Sequence, residues 1–264
     1  MHPRSAAAAL VVAAALAAGP ARADSELTLP APEVTGAIDA STYDESGARV
    51  GGAEIAVVRL DDGSYRMSGR SGIEGSAQLE VTADLAPVGG NAGLRLLSQR
   101  TESRDVDGRS LGVMRIDHER RVAVCGVPDE SDAEPVVLTL PPHDRVVNVP
   151  LNLLFQPLVS GESKEVDFQV LLCRAGGRIV DARARVARDL ARDDGSRVVE
   201  IRYDLDFGPL LSRIAAPFMP RLSFWFHEGS PGAWVGHRMP LFSKGPTVLV
   251  VRSGFTPSGL GAIP

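Results

Sequence analysis

Four histidines downstream of the N-terminus each have a charged neighbour, and they are where this sequence comes closest to chemistry. Asp117-His118-Glu119 has the residue types of a metal or proton-transfer cluster. His143-Asp144 and His227-Glu228 pair an imidazole with a carboxylate, the combination used in general acid–base catalysis. His237 stands beside Arg238. None of the four has catalytic spacing. Successive side chains on a strand point to opposite faces, so three in a row converge poorly. A charged turn between strands at 109–116 and 121–125 is the expected setting of His118. His143-Asp144 lies in a Pro-rich loop and is expected to be solvated. No nucleophile accompanies any of them. The chain lacks a Gly-x-Ser-x-Gly elbow, a phosphate-cradling Gly-rich loop with lysine, and a His-Glu-x-x-His helix. The reading is of a non-enzymatic protein with no catalytic residue and no cofactor. The less favoured alternative is a hydrolase whose polar cleft would draw on His118, His143, His227 or His237.

The two cysteines, Cys125 and Cys173, have no second Cys or His at ligand spacing, so no metal site is expected. In an oxidising compartment an even pair is a disulfide candidate; the alternative is two buried free thiols. A bridge would close a loop of about 50 residues and contribute about 4 kcal/mol in the chain-entropy picture.

Such a compartment is what the N-terminus indicates. Met1 to Arg4 form a short positively charged segment. Ser5 to Ala18 is a run of Ala, Leu and Val after its serine, Gly19-Pro20 breaks it, and Ala21-Arg22-Ala23 puts small residues where a signal peptidase reads. The apolar run falls short of the about 20 residues a membrane span needs. Cleavage after Ala23 and a periplasmic location are expected, and no cysteine near that point offers a lipid anchor.

The charge balance narrows the partners. The chain has 28 basic and 33 acidic residues, a net charge of −5, and Lys164 and Lys244 are its only lysines. Arginines dispersed among acids make a solvated, ion-paired surface. They do not make the basic patch that nucleic acid or anionic membrane requires.

The elements that must position these residues read as strands. Val199, Ile201, Tyr203, Leu205 and Phe207 alternate with Glu200, Arg202, Asp204 and Asp206, the period-two signature of one dry and one wet face. Val166, Phe168 and Val170 alternate with Asp167 and Gln169, and Leu222, Phe224 and Phe226 alternate with Ser223, Trp225 and His227. Gly- and Asp-rich connections of hairpin length separate these runs, so 164–252 reads as an antiparallel meander of about six strands. Weaker patterning gives strands at 34–43, 50–60, 64–70, 73–83, 94–104, 109–116 and 121–125. Residues 126–145 read as a loop or insertion with a short strand at 136–140, and short helices are expected at 149–156 and 209–216. Tyr43 and Tyr65 are the only aromatic residues before residue 150, so the C-terminal meander must supply most of the large apolar surface.

Several stretches carry a family resemblance. They are Tyr43-Asp44-Glu45-Ser46-Gly47 leading to Val50-Gly51-Gly52; Asp62-Gly63-Ser64-Tyr65-Arg66-Met67; Asp107-Gly108-Arg109; the segment Pro150 to Gly161; and the Trp225 strand with its hairpin to Met239-Pro240 and a closing strand. Together they resemble an exported bacterial family with a domain of unknown function, similar in fold to the lipoprotein-carrier half-barrels of the Gram-negative periplasm. The resemblance implies a mainly β, all-antiparallel curved sheet, a half-barrel with one or two short helices, formed by residues 24–264 as one domain. It further implies that the concave face holds a lipid or other hydrophobic small molecule. The residues expected to line it are Val166, Phe168, Val170, Val199, Ile201, Tyr203, Leu205, Phe224 and Phe226, with Leu153, Leu154 and Phe155 as a lid. The alternative is an envelope scaffold whose interior is filled by those same side chains and whose partner is another envelope protein.

Overall fold

The clearest alternating segments form strands because apolar residues on one face, such as Val199, Ile201 and Tyr203, alternate with polar or charged residues on the other, such as Arg202 and Asp204. A computed structural model of the chain describes residues 27–32, 35–89, 93–126, 134–173, 176–192, 195–208, 221–228, 233–242 and 245–261. The expected signal segment with its cleavage after Ala23, and the helix expected at 209–216, lie outside the described residues.

Fourteen strands make one antiparallel sheet. The first eight are β1 (Gly36–Tyr43), β2 (Arg49–Arg59), β3 (Tyr65–Ile73), β4 (Ala77–Pro87), β5 (Leu94–Asp105), β6 (Ser110–Asp117), β7 (Val122–Gly126) and β8 (Val136–Thr139). Two helical turns follow, α1 (Leu151–Leu154) and α2 (Gln156–Val159), with Phe155 between them. The rest are β9 (Glu165–Leu172), β10 (Arg178–Ala191), β11 (Arg197–Asp206), β12 (Leu222–His227), β13 (Trp234–Pro240) and β14 (Thr247–Arg252). Every strand pairs with its sequence neighbours except that β8 and β9 do not pair with each other. In addition β1 pairs with β14, with Thr42 opposite Val250, so the two meanders join through the first and last strands. The spatial order runs from β8 to β1, then from β14 to β9, and the ladder is open between β8 and β9.

One apolar cluster runs along the inner face of both meanders, from Val57, Met67, Ala83 and Leu85 to Phe168, Ile201, Phe224 and Val250. Its two walls differ. The inward positions of β1–β5 are mostly small or aliphatic, whereas β9 and β11–β13 add the rings of Phe168, Tyr203, Phe224, Phe226 and Trp234. Glycine permits one tight contact at the rim: a Cβ on Gly51 would lie 2.1 Å from the Gly72 carbonyl oxygen, so the close approach of β2 to the end of β3 excludes any side chain there.

Two faces read as wet from alternation are dry. Trp225 and Ser223 point outward from β12, yet Trp225 is 1% exposed. Residues 253–261 fold back over the outer face, and Phe255 and Leu260 cover Trp225, Val235, Leu249 and Val251. Glu200, on the outer face of β11, is 1% exposed. It accepts hydrogen bonds from Arg188, Arg202 (2.7 Å) and Ser223 (2.9 Å). Burial pushes its carboxyl upward, and these donors outweigh that and hold it below the ordinary value.

Candidate functional site

The seam between β8 and β9 brings together residues far apart in sequence. Residues 140–148 cross it. The Leu140 N–H donates to the Arg121 carbonyl, in the turn just before β7 (2.9 Å). Beyond the crossing the chain runs parallel to β9: the Gln169 N–H donates to the Arg145 carbonyl and the Val147 N–H to the Gln169 carbonyl, both at 2.8 Å. The Asn148 side chain extends this pairing, donating to the Leu171 carbonyl and accepting from its N–H, both at 2.9 Å.

Gln99 of β5 holds the crossing segment from inside. Its Oε1 accepts the N–H groups of Asn148 (2.7 Å) and Val149 (2.8 Å), and its Nε2 donates to the Val146 carbonyl (2.8 Å). These contacts fix the amide orientation, so the same Nε2, 2.8 Å from His118 Nε2, is a donor to it. His118 then carries its proton on Nδ1 and donates to Asp144, 3.0 Å away. Asp144 Oδ1 also accepts the Val146 N–H (3.1 Å).

His118 does sit in the turn expected of it, but its ring is mostly buried. Asp144, expected to be solvated, has a side chain only 7% exposed. The correction has a plain cause. The crossing segment presses Asp144 against the β6–β7 turn, a contact between residues 26 apart with no local signature. Both ring nitrogens of His118 are engaged, Nε2 by Gln99 and Nδ1 by Asp144. His143 is near but exposed. His227 Nδ1 contacts the Glu228 carbonyl, and His237 lies on the inner face of β13; neither joins the seam.

The cysteines lie on opposite sides of the opening. Cys125 of β7 and Cys173, just past β9, form a disulfide with Cα atoms 5.2 Å apart. Around it Met114, Ile116, Ala123, Leu140, Val146 and Leu171 form an apolar cluster drawn from both ends of the sheet. Sheet curvature, crossing segment and disulfide thus turn an open ladder into a nearly closed wall.

The nine residues expected on the inner face and the three expected as its lid pack together. Leu153, Leu154, Phe155, Phe168, Val170, Val199, Ile201, Tyr203, Phe224 and Phe226 are buried in one cluster, with Val166 and Leu205 half-buried against it. Phe155 is the pivot. It is fully buried, with ring centroids 5.8 Å from Phe168, 6.0 Å from Tyr203 and 5.3 Å from Phe224. The array continues through His237, 5.4 Å from Phe224 and 5.5 Å from Trp234. Burial lowers the His237 pKa to about 4 and raises that of Tyr203, so both are neutral at pH 7. Trp234 Nε1 is buried without a hydrogen-bond partner among the described residues. The expectation from sequence missed His237 and Trp234 as inner-face residues. The register shift between Trp225 and Phe226 brings Trp234 opposite Phe226.

No family model matches the chain, and no curated protein matches it significantly. Among solved structures, one similar chain shares much of its length with this one. It is described as a beta-barrel-like protein of domain of unknown function DUF1849 from Brucella abortus, 13% identical, with 84% of this chain and 97% of that chain covered and a TM-score of 0.47.

The β1–β4 half of the inner face differs from the aromatic half. Ile38 of β1 faces Ile55 of β2, which faces Gly69 of β3, which faces Val81 of β4. A Cβ on Gly69 would lie 3.0 Å from Val81 Cγ2, so the missing side chain leaves a dent that its neighbours enter. Ile38, Ile55, Leu79 and Val81 belong to the same apolar cluster as the buried rings but are only half-buried. Among the described residues no helix is long and apolar enough to cross a membrane, and no group of three His, Cys, Asp or Glu residues is placed to hold a metal ion.

Proposed function

We propose that this chain is a non-enzymatic protein of the cell envelope that takes a lipid or other hydrophobic ligand along the inner face of its curved sheet. The observation that carries this reading is the half-buried row of Ile38, Ile55 and Val81, with Leu79 beside it. Apolar side chains on a concave surface normally complete their burial against the opposite wall. Here they are left partly open beside a wall of rings, the lining expected of an apolar site. The disulfide fits an oxidising compartment, and the leader read from the sequence fits export. The engaged ring of His118 supports a structural role for the most enzyme-like residues.

A second reading, an interaction module with a filled interior, draws on Phe155, whose packing against three other rings occupies the aromatic half. Native mass spectrometry of protein purified from its host's membranes separates the two. A co-purifying lipid, together with saturable binding of a fluorescent fatty acid, is expected. Protein of bare mass with no fatty-acid binding would overturn the first reading, and in-cell crosslinking to one specific protein would then favour the second.

A further inference from the structure

Beside the seam, a pocket of about 240 Å³ opens next to the His118–Asp144 pair. Its walls carry Arg95 from β5, Arg121 from the β6–β7 turn, and His143 from the crossing segment, with Leu27, Leu96 and Val146 as apolar lining. We propose that this pocket binds an oxyanion, the phosphate or carboxylate group of a small ligand.

Three observations carry the proposal. First, the charges converge and are only partly spent. Arg121 is exposed and has no ion-pair partner among the described residues. Arg95 has a single 3.3 Å contact to Glu119, with both side chains substantially exposed. Asp144, the acidic residue of the lining, already accepts from His118 and from the Val146 N–H. Two guanidiniums therefore face the space with little to neutralise them, in a chain whose net charge is −5.

Second, Arg121 and His143 are the two non-glycine residues with left-handed backbone among the described residues, at φ 54° and 56°. Such a conformation is unfavourable for a residue with a Cβ, and at Arg121 the tight β6–β7 loop, in which its N–H donates to the His118 carbonyl, imposes it. Both line this one pocket, from segments 22 residues apart. Third, the guanidinium chemistry suits an anion. The paired N–H groups of arginine match a carboxylate or phosphate edge. The site holds whether or not the interior takes a lipid.

NMR of the histidine rings and arginine Nε–H groups, recorded at pH 7 during titration with sodium phosphate and separately with dodecanoate below its micellar concentration, tests the site. Phosphate is expected to shift the His118 and His143 ring signals saturably. In an Arg95→Gln/Arg121→Asn double variant its affinity is expected to fall at least tenfold; asparagine at 121 tolerates the left-handed backbone. Dodecanoate moving the same signals would identify a lipid head group as a source of the anion, and phosphate alone would point to soluble anions. Arg121→Asn by itself serves if the double variant does not fold. An equal response to chloride at matched ionic strength, or unchanged phosphate affinity in the folded variants, overturns the proposal.

Discussion

Cys125 and Cys173 are bonded across the one break in the β ladder, tying β7 to the end of β9 through 48 residues of sequence. The disulfide therefore closes in space what the hydrogen bonds leave open, and it shares that task with residues 140–148.

Removing the bridge with Cys125→Ala/Cys173→Ala should destabilise the fold by about 4 kcal/mol, the loop-closure entropy released to the unfolded chain. Urea unfolding should show the lower midpoint, and reductant should move the wild type to nearly the same place. Midpoints equal with and without the bridge would show that the crossing segment alone keeps the seam closed.

Gln99→Ala should cost about 3 kcal/mol or more. Gln99 is 2% exposed, and its loss leaves the Asn148 and Val149 N–H groups and the Val146 carbonyl without their partner. Hydrogen exchange at Asn148 and Val149 should accelerate well beyond that at β14 amides, which lie in the middle of the strand order, away from the seam.

Phe155→Ala should destabilise by about 3–5 kcal/mol, because a fully buried ring is replaced by a cavity between Phe168, Tyr203 and Phe224. Calorimetry is the direct check. A much smaller loss would mean that neighbouring rings collapse into the space.

Acid should weaken the fold through His237. Burial holds its ring at about 4, below the ordinary 6.5. The unfolded chain then binds a proton that the folded chain refuses, so stability is full above pH 6.5 and falls progressively as the pH drops toward 4. The loss reaches about 3 kcal/mol. His237→Phe keeps an aromatic ring beside Phe224 and Trp234 and should remove this part of the slope. A ring-signal titration of His237 near 6.5 in the wild type would contradict it.

The strands were legible because alternation is local. Val199 to Phe207 and Val166 to Val170 announce their faces within a few residues, and the inner aromatic face followed from them. The seam was not legible. Gln99 reaches Val146 and Asn148, and His118 reaches Asp144, across 26 to 49 residues with no periodicity to mark the contact. For the same reason Asp144 was read as solvated, and Trp225 as outward and wet. The segment that covers Trp225 arrives from residues 253–261, whose composition gives no sign of where it packs.

The proposed function turns on whether a ligand rests on the half-buried side of the inner face. The most direct measurement is equilibrium binding of a fluorescent fatty acid to wild type, to Ile55→Asn/Val81→Asn on the inner face, and to Val58→Asn on the outer face of the same strand. Circular dichroism would establish that all three are folded. Saturable binding by wild type and by Val58→Asn, weakened at least tenfold by the inner-face pair, is the predicted result. Equal affinity in all three proteins, or no binding by the wild type, would contradict it.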